Sequence, residues 1–259
     1  MDKIQEQALR DRGVLLDGER LDDLQTSGYR LIQRQDAFRF GTDSVLLADF
    51  ANPKRNTLAA DLGAGTGAIA HLMLAHQPDI QIHAVELQAE IADMLKRSVQ
   101  LNGIEEKILV HHMDMRSAYT KIGLEKLDLC VCNPPYGKAG GALLNENAEK
   151  RIARHEGDLT NEDICMSAAR LLRFGGRFAV IYPASRAFEM MRAMDKCRLA
   201  PKHIRMVQAK IGRAPKFILL DAVKGGGEML HWLPPLILYN EDGSPTAEWK
   251  RIYRVKEGK

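Results

Sequence analysis

The chain has 259 residues, of which 45% are hydrophobic and 27% charged, with four cysteines and a formal net charge of +3. That length suits one large domain with appendages, and a core of this size closes without a metal or disulfide staple. No apolar run approaches the roughly 18 residues of a membrane span, and no signal peptide or C-x-x-C pair is visible, so reduced thiols, a cytoplasmic location and no metal are expected. The C-x-C of Cys130 and Cys132 falls in an apolar run and reads as two buried strand residues.

Charge is unevenly spread. Residues 1–25 lean acidic, whereas residues 196–224 carry eight lysines and arginines against Asp221 alone. A basic cluster of that density is either a solvated face or a contact for a polyanion.

In chain order, residues 14–34 read as a small β appendage with an Asp17-Gly18 hairpin signal. Thr42 or Asp43 caps a short helix through Phe50. From Thr57, strands alternate with helices: Thr57–Leu62, then helix Gly67–His76; Ile80–Glu86, then helix Gln88–Leu101; Lys107–His112 and Leu127–Cys132; helix Asn161–Phe174, then Arg177–Tyr182; helix Ser185–Cys197, then His203–Ala209 and Phe217–Val223. Such alternation predicts an α/β fold, Rossmann-like, with a mostly parallel seven-stranded sheet flanked by helices. The last two strands share only a Gly-Arg-Ala-Pro connection, so one strand near the edge is antiparallel. Leu236–Tyr239, Glu241-Asp242-Gly243 and Trp249–Val255 predict a closing hairpin. The expected organisation is an appendage over 1–56, a core over 57–224 and an extension over 225–259.

Asp61-Leu62-Gly63-Ala64-Gly65-Thr66-Gly67 ends the first core strand and opens a helix. Glycines permit a sharp turn and close ligand approach at the carboxyl end of a strand, where open α/β sheets bind ligands. Glu86 ends the next strand nineteen residues after Gly67, where a carboxylate accepts ribose hydroxyls. Asp114, just past the third strand, is placed to accept from an adenine amino group, and Met115 follows it. The alternative makes these residues ordinary polar strand ends around a tight turn. The spacing is G-x-G-x-G rather than G-x-G-x-x-G, and Asp61 repels a pyrophosphate but attracts an ammonium group. S-adenosylmethionine is therefore preferred to a nicotinamide dinucleotide.

Asn133-Pro134-Pro135-Tyr136 follows the fourth core strand. Two prolines fix an extended backbone and remove two N–H donors, so the loop offers acceptors. Tyr136 adds a ring for stacking a planar substrate. A planar amino group held by two acceptors can turn its lone pair toward an electrophile, and catalysis is then largely positioning. The bland reading is a rigid turn with a packed tyrosine.

The glycine loop resembles the first motif of class I methyltransferases, and Asn133–Tyr136 resembles the Asn/Asp-Pro-Pro-Tyr/Phe/Trp motif of amino-group methyltransferases. Together with Glu19–Leu24, Leu31-Ile32-Gln33 and Phe38–Ala48, these segments resemble the bacterial tRNA1(Val) (adenine-37-N6)-methyltransferase family over residues 15–255. The resemblance implies that Asn133 and Pro134 hold the target amino group and that Tyr136 stacks on the target. It also implies that Phe40 and Thr42, with Asp61, Gly63, Gly65, Gly67, Glu86, Asp114, Met115 and Asn133, surround S-adenosylmethionine. RNA, specifically tRNA, is the implied partner, met by a monomer or weak homodimer. Lys150, Arg151, Lys202, Arg205, Lys210 and Arg213 are candidate RNA contacts. Protein-glutamine N5, ribosomal guanine-N2 and non-catalytic RNA-binding roles remain alternatives, and a nicotinamide-dependent oxidoreductase is the outside class.

Overall fold

The computed structural model describes residues 3–36, 41–135 and 159–253. The elements are α1 (Lys3–Asp11), β1 (Glu19–Asp23), β2 (Arg30–Arg34), α2 (Thr42–Ala51), β3 (Leu58–Leu62), α3 (Ala68–His76), β4 (Gln81–Glu86), α4 (Ala89–Leu101), β5 (Ile108–His112), α5 (Tyr119–Ile122), β6 (Leu127–Cys132), α6 (Asn161–Leu171), β7 (Leu172–Pro183), α7 (Ala187–Lys196), β8 (Leu199–Gln208), β9 (Phe217–Lys224), β10 (His231–Ile237) and α8 (Ala247–Tyr253). One sheet takes the order β10-β8-β9-β7-β6-β3-β4-β5. Strands β3 to β7 pair in parallel, and β9 runs antiparallel to both β7 and β8. The reversed strand thus lies where the short connection after β8 requires it.

Apolar side chains cover both faces of the sheet. Strand alternation sends Ala59 to the layer of α2, α3 and α4, and Ala60 and Leu62 to the layer of α6 and α7. Cys130 and Cys132 are fully buried strand residues with free thiols. Among the described residues no helix is long and apolar enough to cross a membrane.

The N-terminal hairpin β1–β2 docks on α4 through polar contacts. The Ile32 amide donates to Ser98 Oγ at 2.9 Å, and the Asn102 side chain meets both the N–H and the C=O of Arg30. Arg97 reaches both oxygens of Glu19 at 2.7 Å. Burial alone would push the Glu19 carboxyl up, but Arg97 and the Leu16 amide hold it below the ordinary 4.5.

Several boundaries differ from expectation, each for a local reason. A first helix, α1, precedes the hairpin, whose turn lies at residues 24–29 rather than at Asp17-Gly18. Gly41, not Thr42 or Asp43, is the cap of α2. The helix from Asn161 stops at Leu171 instead of Phe174, because Leu172 already pairs with Leu127 and the strand bulges before Arg177. Among the described residues the sheet has eight strands, not seven. His231–Ile237 adds a parallel edge to β8, and its Pro234-Pro235 is tolerated there through a register shift between Leu233 and Leu236. The turn around Glu241–Gly243 does form, with Tyr239 bridging Pro245. Trp249–Tyr253, however, is helical: Trp249 and Ile252 are buried on one face at i, i+3 spacing.

Arg97→Ala leaves the Glu19 carboxylate, only 7% exposed, without its main partner. Breaking such a pair is expected to cost about 3 kcal/mol, the low end for buried pairs because its rim reaches water. Urea unfolding at neutral pH checks this. The loss should shrink as pH falls through the depressed Glu19 value, where protonation removes the wild-type advantage.

Candidate active site

The turn after β3 is built from glycines for steric reasons. Gly63, Gly65 and Gly67 have φ of +74°, +56° and +88°, a region unfavourable for other residues. A Cβ on Gly67 would sit 2.2 Å from Leu95 Cδ1 of α4. The amides of Gly63 and Ala64 both donate to the Val85 carbonyl at 2.9 Å, which clamps the turn against β4. Gln33 of β2 donates to Thr66 Oγ1 at 2.9 Å, so the hairpin braces the turn from outside.

Glu86 closes one side. Its two oxygens accept from the Gly65 amide at 2.9 Å and the Gln88 amide at 2.8 Å. Burial raises its carboxyl above the ordinary range, and these amides offset only part of that rise. Both oxygens keep further acceptor capacity.

Asp61 is different. It is 0% exposed, and among the described residues neither carboxylate oxygen has a partner of ordinary hydrogen-bond geometry. Burial pushes its carboxyl up to about 7; the Ala70 amide of α3 works against this, and the Glu86 charge adds to the rise. A buried carboxylate without a partner is costly and suits a site completed by a cation. Asp61 does not itself line the adjoining cavity.

That cavity is walled by Gly63 and Gly65, by Glu86, by Asp114, Met115 and Arg116, and by Asn133, Pro134 and Pro135. The Asp114 carboxylate accepts from the Arg116 backbone amide at 2.8 Å and from its guanidinium, which holds it below the usual carboxylate range. Asn133 donates through Nδ2 to Asp43 Oδ2 at 3.0 Å, and Asp43 Oδ1 accepts from the Ser44 amide at 3.0 Å.

Thus Gly63, Gly65, Glu86, Asp114, Met115, Asn133 and Pro134 meet around one cavity, whereas Gly67 and Asp61 do not line it. Thr42 is exposed beside Asp43 and does not line the cavity. Phe40, Tyr136, Lys150 and Arg151 lie outside the described residues. Sequence reasoning missed Arg116 and the contact of Asp43, whose only local signal was a helix start. The other four basic candidates stand away from the cavity. Lys202 donates to the Gly227 carbonyl, Arg205 grips both Glu248 oxygens at 2.9 and 2.8 Å, and Lys210 donates to the Glu241 carbonyl at 2.8 Å. Arg213 is exposed. Part of the basic segment therefore braces the C-terminal extension.

Asp61→Asn should stabilise the ligand-free protein. With the folded carboxyl near 7 against an ordinary 3.8, wild type loses stability as pH rises between these values, and the loss levels off above about pH 7. The variant's melting-temperature advantage should be absent near pH 4 and largest at pH 8. A flat difference across that range contradicts the assignment.

The residues fit a nucleoside with a cationic tail: an orphaned buried carboxylate, a Cβ-free turn, and a carboxylate held for hydroxyls. The comparisons agree. Residues 35–203 match the model of the methyltransferase small domain. A Tolumonas auensis protein named tRNA1(Val) (adenine(37)-N6)-methyltransferase is 30% identical over 74% of this chain and 79% of its own length. A Phocaeicola vulgatus protein of the same name is 33% identical over 71% and 76%. The crystal structure of a predicted O-methyltransferase from Agrobacterium tumefaciens shares the fold, with a TM-score of 0.69 at 22% identity, covering 82% of this chain and 96% of that one. The chain belongs to the methyltransferase small domain family, as an S-adenosylmethionine-dependent methyltransferase related to those named for tRNA1(Val) adenine 37.

Proposed function

We propose that this chain methylates the N6 amino group of an adenine in tRNA, adenine 37 of tRNA1(Val), as its relatives are named to do. The observation that carries the reading is the shared cavity: Asn133 and Pro134 line it together with Gly63, Gly65 and Glu86. S-adenosylmethionine, when bound, supplies a methyl group already activated on a sulfonium. Glu86 accepts the ribose hydroxyls, Asp114 and Met115 bound the adenine end, and Asp61 balances the ammonium group. Asn133 Oδ1 and the Pro134 carbonyl take the two N–H bonds of the target amino group. Holding both hydrogens away from the donor side leaves the nitrogen lone pair facing it. Tyr136 stacks on the target base. The amino nitrogen would take the methyl as the methyl's bond to sulfur breaks, leaving a neutral thioether, and the surplus proton would pass to solvent; the target nitrogen is itself the nucleophile.

An adenine in a loop suits this site, because a splayed base enters a pocket at modest unstacking cost. The phosphate contacts are assigned to Lys150, Arg151, Lys202, Arg205, Lys210 and Arg213. Arg205 and Lys202 also brace neighbouring backbone, so their removal should cost stability as well as RNA affinity.

Asn133→Ala should lower kcat by roughly two to three powers of ten, the usual loss for one preorganised polar contact, and leave cofactor affinity nearly intact. Glu86→Ala should show the reverse split, losing roughly 1.5–3 kcal/mol of cofactor binding. Calorimetry with S-adenosylmethionine, beside turnover on a tRNA1(Val) transcript, checks both. A transcript with guanine at position 37 should take no methyl group. Wild-type turnover in Asn133→Ala, or equal use of the two transcripts, overturns the reading.

A further inference from the structure

We propose that Asp43 is the positioning residue that sets the orientation of the Asn133 amide, an inference that rests on reading Asn133 as a holder of the target amino group. A primary amide has two ends of similar shape and opposite chemistry. Its oxygen accepts and its nitrogen donates. The target amino group presents two N–H bonds, so only the oxygen end of Asn133 is useful toward it. Turned by half a rotation, the same side chain offers N–H against N–H and repels what it should hold.

Backbone at Asn133 does not decide between these two states, because the amide rotates about its terminal bond with a broad two-fold preference. Asp43 does decide. Its carboxylate is acceptor-only when ionised, and it lies 3.0 Å from Asn133 Nδ2. That contact is a bond with nitrogen facing Asp43 and a repulsion with oxygen facing it. Planarity then turns Oδ1 to the opposite end of the amide. The assignment follows from what a carboxylate can accept.

Asp43 is itself fixed. Its other oxygen, Oδ1, accepts from the Ser44 amide at 3.0 Å, an amide it shares with the Gly41 carbonyl at 3.1 Å, in the first turn of α2. Ser44, Val45, Leu46 and Leu47 of that helix are buried against the core. An acidic group at a helix N-terminus is also favoured by the helix dipole. The chain from a buried helix to a carboxylate to a carboxamide is therefore short and stiff. It also accounts for an acidic residue at position 43 where Thr42 and Gly41 already begin the helix.

A reciprocal exchange tests the contact. In Asp43→Asn, the single oxygen is favoured toward the Ser44 amide, so the new Nδ2 faces Asn133 and draws its oxygen the wrong way. In Asn133→Asp, two carboxylates meet at about 3 Å. In the double variant Asp43→Asn/Asn133→Asp, a donor faces an acceptor again, and a carboxylate oxygen still points to the target. Each single change should lower kcat by roughly 10–100-fold, the usual effect of removing a group that orients a functional side chain. Affinity for S-adenosylmethionine should stay within about threefold. The double variant should turn over at least tenfold faster than the product of the two single losses allows, the mark of direct coupling.

A residue that only started the helix would show no such rescue. Asp43→Asn within threefold of wild-type kcat overturns the proposal, as does a double variant no better than that product. If Asp43→Asn fails to fold and the double variant folds and turns over, the rescue itself supports the contact; if both fail to fold, Asp43 is merely structural and the proposal falls. Turnover is read as transfer of labelled methyl to an amino group. A wild type that methylates no amino group, on RNA or on protein, defeats the reading of the site and this proposal with it. An active wild type without coupling defeats the proposal alone.

Discussion

At Gly67 there is no room for a β-carbon. Leu95 of α4 occupies that space, 2.2 Å from where the carbon would be. The rest of the site depends on this close approach. It lets β3 turn directly into α3 while α4 packs over the turn, and the Val85 carbonyl then receives two successive turn amides. With the turn held, the Gly65 amide meets Glu86, and the carboxylate is aimed along the cavity wall. A single steric constraint thus places a backbone loop and an acid from different strands on one surface.

The site's carboxylates divide by how they are compensated. Glu86 and Asp114 are held by amides and by Arg116. Among the described residues Asp61 has no partner of ordinary hydrogen-bond geometry, and burial keeps its proton on to about pH 7. Uncompensated groups of this kind belong to functional sites, where a ligand supplies the missing partner. The N-terminal hairpin has the opposite character, since nearly every polar group at its contact with α4 is matched. It stiffens α4 and, through Gln33 and Thr66, the glycine turn.

Most of the core was legible because its strands are short apolar runs bounded by Gly, Asn and Pro, and its helices carry a 3.6-residue period. The Leu127–Cys132 strand and the reversed strand near the sheet edge appear as read. The C-terminal segment was not legible. Trp249, Ile252 and Tyr253 favour strands by residue type, and only their spacing reveals the helix that buries them. Pro234-Pro235 argued against a strand that an edge position nonetheless permits. At the site, the type and spacing of the glycines, Glu86 and Asn133 are what suggest their proposed roles. Asp43 does not, because its partner lies ninety positions away and only the fold brings them together.

The central claim is that this cavity places an adenine amino group before an activated methyl group. The most direct measurement incubates the purified chain with labelled S-adenosylmethionine and unmodified total tRNA, followed by digestion to nucleosides. The account predicts label in N6-methyladenosine alone, in one tRNA species, at the position after the anticodon. Label in N2-methylguanosine, label recovered only in an added release factor, or no transfer at all would contradict it.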